Sequence, residues 1–211
     1  MLKITALSQL KLTDEPRYYR AKGLGTIYVG DSELGPVRVR KLGVGSHQIR
    51  EAAEEVKRWR KLAIKGIENL YGEYHEDETL YIISEAREDY TTLAQVIKYQ
   101  SKLPEKQKCQ IFVQLVRILL QLEVQGDLFS HGHLCPSNIL VDTEMKKVII
   151  QDFGFLNCKA YVSMVGNSQN KEDVYENKDK YTAPENLTQK GNSVKKPTHK
   201  ADIYSLSVIM L

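Results

Sequence analysis

Between residues 131 and 138 the chain reads His131-Gly132-His133-Leu134-Cys135-Pro136-Ser137-Asn138, and a turn with an acidic residue follows at Asp152-Phe153-Gly154. The groups able to do chemistry are two imidazoles, a thiol, an amide oxygen and a carboxylate. A neutral imidazole accepts a proton near physiological pH, so His133 retains acid–base capacity. Each residue also has a plainer role. His133 can fill space, Asp152 can cap a turn, and Asn138 can satisfy nearby backbone groups.

The elements that must hold these residues differ between the two halves of the chain. Gly25 to Gly30 and Val37 to Leu42 predict two strands joined by a turn over Asp31 to Pro36. Gln48 to Leu62 predicts a helix, with Ile49, Ala52, Ala53, Val56 and Trp59 on one face and charged residues opposite. Asn69 to Tyr74 and Thr79 to Ser84 predict two further strands. Beyond Glu85 the pattern turns helical. Thr92 to Tyr99 predicts a short helix, and Pro104 opens a longer one. Its apolar stripe is Ile111, Phe112, Leu115, Ile118, Leu119 and Leu122, and Gly126 ends it.

Bulk properties exclude several classes. The 211 residues are enough to bury a core. A formal charge of +3 is too small to argue for nucleic acid or an anionic membrane surface. No apolar run approaches the roughly 20 residues that span a bilayer, and the first residues lack a signal-peptide core. Cys109, Cys135 and Cys158 are widely separated, with no Cys-x-x-Cys pair, so neither a disulfide framework nor a zinc knuckle is indicated. Reduced thiols point to a cytoplasmic or nuclear protein.

Together with Ala183-Pro184-Glu185 and Asp202-Ile203-Tyr204-Ser205-Leu206, the loop and turn resemble the catalytic loop, metal-binding turn, activation-segment end and large central helix of eukaryotic protein kinases. The resemblance runs from about Arg20 to Leu211. It implies an α+β fold with two lobes: a small β-rich lobe over 1–86, including a short extension over 1–17, and a helical lobe over 87–211. That lobe would be incomplete, ending within its central helix, so a fragment of a longer chain is expected, or a partner covering Ser207 to Leu211. Asn138 and Asp152 match metal ligands, and oxygen donors suit the Mg²⁺ that bridges ATP phosphates. Gly25 matches the last glycine of the phosphate-covering loop, and Glu55 the glutamate that pairs with the nucleotide-binding lysine. Ser84 matches the small residue at the back of the ATP site, which Ile27 and Leu140 would help to line. The packed column through both kinase lobes corresponds to Leu70, Trp59, Phe153 and His131.

The lysine position has two registers. Spelling favours Arg40, which sets Arg38 where a small alanine roofs the adenine. Strand alternation favours Lys41, with Val37 and Val39 turned inward. The departures from the kinase pattern are larger. His-Arg-Asp-Leu-Lys-x-x-Asn has become a loop with Gly132 for the phosphate-gripping arginine, His133 for the catalytic aspartate and Cys135 for the lysine. Earlier glycines of the phosphate loop fall on Arg20 and Lys22. The resemblance therefore implies a pseudokinase that scaffolds or regulates another signalling protein. ATP and Mg²⁺ binding stays open, and nucleic acid and membrane spans are not expected. The alternative is a divergent Ser/Thr kinase that still transfers the γ-phosphate.

Overall fold

The computed structural model describes residues 10–12, 26–43, 46–77, 79–99, 103–132, 134–152, 178–187 and 198–211. They fall into two compact units. One holds the described residues up to Ala63 together with Asn69–Arg87; the other holds Ile64–Glu68 and the described residues from Glu88 onward.

The first unit is an antiparallel sheet in the order β1-β2-β3-β5-β4 with one helix. Its strands are β1 (Lys11–Leu12), β2 (Thr26–Ser32), β3 (Gly35–Gly43), β4 (Leu70–Glu76) and β5 (Thr79–Glu85); its helix is α1 (Ser46–Arg60). The β2–β3 turn is tighter than the sequence predicts. Ser32 pairs with Gly35, and the Ser32 hydroxyl accepts from Leu34 N at 3.1 Å and donates to the Gly35 carbonyl at 3.0 Å. Gly35 takes φ +98°, a value that favours glycine.

The middle of β3 buries side chains on both faces. On one, Val37, Val39 and Ile83 form a core closed by Leu10, with Tyr28, Leu34, Tyr71 and Tyr81 packed against it. On the other, Arg40 lies opposite Ile27 and Ile82, and Ile82 lies opposite Glu73. Directly opposed residues of an antiparallel pair share a face. Arg60 of α1 reaches Glu73 at 3.3 Å, so this is the face that looks toward α1. Val56 and Trp59 of that helix are buried, in line with its periodicity.

The second unit contains β6 (Tyr90–Thr92), α2 (Leu93–Tyr99), α3 (Glu105–Val124), β7 (Ile139–Asp142), β8 (Val148–Ile150) and three further helical segments, α4 (Lys178–Tyr181), α5 (Pro184–Leu187) and α6 (His199–Ile209). The second sheet, β6-β7-β8, was not read from the sequence. Its strands have three or four residues, too few for alternation to register. On α3, Ile111, Leu115, Ile118, Leu119 and Leu122 are buried as the stripe predicts, but Phe112 is 38% exposed. At about 100° per residue it stands at the edge of that face. Thr198 caps α6, accepting from Ala201 N at 3.3 Å, so the helix starts three residues before Asp202. Among the described residues no helix is long and apolar enough to cross a membrane. The described part is thus an α+β fold, as expected.

The segment 64–68 joins the second unit through β8. Ile150 N donates to the Gly66 carbonyl at 2.7 Å, and Glu68 N to the Ile150 carbonyl at 3.0 Å. Gly66 has φ +99°, and a Cβ there would stand 2.5 Å from Ile118 Cδ1. Gly126, at φ +103°, has nothing within 4 Å of its Cβ position. Gly66→Ala is expected to cost about 2 kcal/mol or more, adding overpacking to backbone strain, and Gly126→Ala about 1 kcal/mol from strain alone. Urea denaturation of both variants would measure the difference; equal costs would mean that Ile118 yields freely.

Candidate functional site

In the second unit, a polar loop is tied to a helix by one carboxylate. Asp202 of α6 is 1% exposed and accepts from His131 N at 2.6 Å and Gly132 N at 2.7 Å. Gly132 takes φ +76°, which lets two successive amides face the same acceptor. Burial pushes Asp202 above the usual carboxylate range, while His131, the two amide bonds and His199 pull it back down. The His131 ring, fully buried, meets the Gln151 carbonyl at 2.9 Å through Nε2. A carbonyl only accepts, so that nitrogen carries the proton.

The loop continues into a 3₁₀ turn at Pro136–Asn138. Asn138 Oδ1 accepts from Cys135 N at 3.0 Å, and the Cys135 side chain accepts from the Asn138 backbone amide. This reciprocal cap gives Cys135 a structural use that the sequence reading did not assign to it. Gln151 N donates to the Asn138 carbonyl at 2.8 Å, which ties Asn138 to the residue preceding Asp152. Asp152 is 4% exposed, has φ +58°, and its amide donates to Glu68 Oε2 at 3.2 Å. Aspartate is among the few non-glycine residues that tolerate this conformation. Glu68, 84 positions away, was not singled out in the sequence; no motif or periodicity marks it.

Asn138 and Asp152 supply one amide oxygen and one carboxylate. That donor set fits a hard divalent cation such as Mg²⁺, with remaining ligands from water or phosphate. Among the described residues no group of three or more His, Cys, Asp or Glu could hold a metal by itself. Leu140 is buried in β7 opposite Thr92 and Ile149. His133 lies outside the described residues, as do Gly25 and Phe153.

In the first unit the two registers of β3 part clearly. Arg40 is 2% exposed on the face toward α1, whereas Lys41 is exposed, its ammonium 5.9 Å from the Tyr81 ring centre. Val37 and Val39 bury against Leu10 on the far face, as alternation expects, but Lys41, on that same face, is exposed. Arg38 shares Arg40's face. Its Nε donates to Ser84 Oγ at 3.3 Å, across the Arg38–Ser84 pair of β3 and β5. Ser84 and Ile27 are buried. Glu55 is 6% exposed, accepts from Trp59 Nε1 at 3.2 Å and pairs with Arg58. Buried carboxylates at Glu55 and Glu73 and the buried guanidinium of Arg40 are tolerable only as partnered charges. Of the expected column, Leu70 and Trp59 are buried in this unit and His131 in the other.

Asp202→Ala would leave two amides without their acceptor and is expected to cost about 2–4 kcal/mol. A carboxyl with a raised folded pKa stabilises most below its unfolded value, near 4, and loses that contribution as pH rises through the folded value. The stability of wild type relative to Asp202→Asn, which cannot titrate there, should therefore fall as pH rises above about 4. Denaturant melts at several pH values test this, and a pH-independent difference would contradict it.

Comparison with family models matches residues 38–211 to the protein kinase domain. Comparison with curated proteins finds no match.

Proposed function

The chain belongs to the protein kinase domain family, and from that premise we propose that it is a pseudokinase, acting as a scaffold or allosteric regulator of another signalling protein. One observation carries the reading. The backbone frame of the loop is tied at His131, Gly132, Cys135 and Asn138, while the positions that would do the chemistry hold His133 and Cys135.

In phosphoryl transfer a carboxylate orients the attacking hydroxyl and a cation offsets charge on the moving group. An imidazole is bulkier than a carboxylate and carries its nitrogens at different distances from the backbone than a carboxylate carries its oxygens. The thiol of Cys135 carries no fixed positive charge, and its sulfur accepts the turn's own amide. General acid–base help is typically worth about 10²–10⁴-fold, and losing it together with the cation leaves trace turnover.

Nucleotide binding is a separate matter. Domains of this family generally bind ATP with Mg²⁺. Asn138 and Asp152 would hold the metal here, and it would draw the phosphates into a fixed position and neutralise part of their charge. Arg40 on the interior face carries the kind of charge that meets a phosphate. Arg38 opposes base binding, because its guanidinium lies across to Ser84 on the face where an adenine would rest. The retained metal ligands also support the second reading, a divergent Ser/Thr kinase using Arg40, Asn138 and Asp152.

Thermal melts with and without ATP, each with and without Mg²⁺, separate these cases. A ligand at one hundred times its dissociation constant adds about 2.7 kcal/mol. We expect little or no Mg-dependent shift for wild type and a larger one for Arg38→Ala, whose pocket face is cleared. An unchanged response in that variant would remove Arg38 from the argument. Radiolabelled phosphate transfer from well-folded protein, abolished by Asp152→Ala, would establish the active reading and end the pseudokinase one.

A further inference from the structure

Helix α3 carries a second seam on the side away from its core. Positions 106, 109, 113, 116, 120 and 123 advance by alternating steps of three and four, the spacing by which one helix packs along another. They are Lys106, Cys109, Val113, Val116, Leu120 and Glu123. None of them belongs to the buried stripe; Val113 is 44% and Leu120 52% exposed, and the neighbouring Val124 is 83% exposed. A surface helix ordinarily turns polar residues to this side. Here four apolar or thiol positions stand in a row, closed by a lysine at one end and a glutamate at the other.

The charges at the two ends decide what can cover the seam. Lys106 lies in the first turn of α3 and Glu123 in the last, each against the preference of the helix's own dipole. Among the described residues neither makes an ion pair within the chain. A second copy of α3 laid antiparallel, with its twofold axis between Val113 and Val116, resolves both conflicts. The layers then read Lys106 with Glu123 of the second copy, Cys109 with Leu120, Val113 with Val116, and the same three reversed. Each end becomes an ion pair, and each misplaced charge meets the opposite helix terminus. A parallel pair would instead set lysine on lysine and glutamate on glutamate. The sequence of the seam is thus complementary to itself in one orientation only.

We propose that the outer face of α3 is a self-association surface, forming an antiparallel twofold dimer in the register that pairs Lys106 with Glu123. The 20-residue helix spans about 30 Å. A contact built mainly on one helix is small among stable interfaces, so the dimer should be weak and concentration-dependent. The proposal is independent of whether the protein transfers phosphate.

Sedimentation velocity of the full 211-residue chain over a range of concentrations tests it. Wild type should pass from monomer to dimer in the micromolar range, and Leu120→Glu should remain monomeric with an unchanged melting temperature. Lys106→Glu or Glu123→Lys alone sets like charges at both ends and should weaken the dimer roughly tenfold. The double reversal should restore it. Under mild oxidation Leu120→Cys should crosslink to Cys109 of the second copy, since the register brings the two Cα atoms toward the roughly 4.4–6.8 Å a disulfide requires. A chain that stays monomeric at about 200 µM, far above the dissociation constant of a micromolar contact, overturns the proposal. So does a dimer indifferent to Leu120→Glu, or one in which the double reversal fails to restore what each single reversal loses.

Discussion

The carboxylate of Asp202 is the constraint on which the site depends. A loop of eight residues with little regular structure has few ways to satisfy its own amides, and an unsatisfied buried amide costs about 1–3 kcal/mol. Asp202 meets two of them at once, from a helix whose own start is fixed by Thr198. Once His131 is held, its ring fixes the Gln151 carbonyl, and Gln151 N fixes Asn138. The two metal-type ligands are therefore positioned by a chain of contacts that begins on α6. The desolvation that raises the proton affinity of Asp202 is inseparable from this role, because a solvated carboxylate would not be confined to two amides.

The first unit solves a different problem, a strand that buries side chains on both of its faces. Val37 and Val39 bury on one side by hydrophobic contact alone. On the other, Arg38 and Arg40 bring guanidinium groups into low-dielectric surroundings, where an unpaired charge is costly. The acidic residues that share this face or the helix over it, Glu73 and Glu55, are themselves buried and bonded. Removing any one of these charged side chains leaves its partners exposed to the same desolvation cost, so the arrangement is hard to alter one residue at a time.

How much of this could be read from the sequence depends on the kind of signal. The helix stripe of α3 and the paired strands β2–β3 and β4–β5 rest on local periodicity, and they were legible. The loop around His131 was legible because several short motifs occur in order, each weak alone. Phe112 was misjudged because a stripe's edge cannot be fixed by hydrophobicity. The β3 register was ambiguous for a physical reason: alternation assumes that one face is buried and the other wet, and here Val37 and Val39 are buried on one face and Arg40 on the other. Glu68 and the Cys135 cap were invisible. One depends on a contact between positions 84 apart, and the other on a sulfur replacing the oxygen that usually caps such turns.

A separation between the frame of this loop and its reactive groups would let a kinase domain change its chemistry while keeping its fold. Among the described residues, the contacts that tie the loop use its backbone and the side chains of Asp202, His131, Asn138 and Cys135, the last of which caps the turn. A catalytic carboxylate or lysine is optimised for a transition state, so it contributes little to the stability of the resting protein and commonly costs some. Replacing it removes rate and leaves the folded state untouched or slightly improved. The groups that remain, Asp202, His131 and Asn138, are those whose loss would leave buried polar atoms unmatched. For Asp202 and His131, their presence is what stability alone would demand.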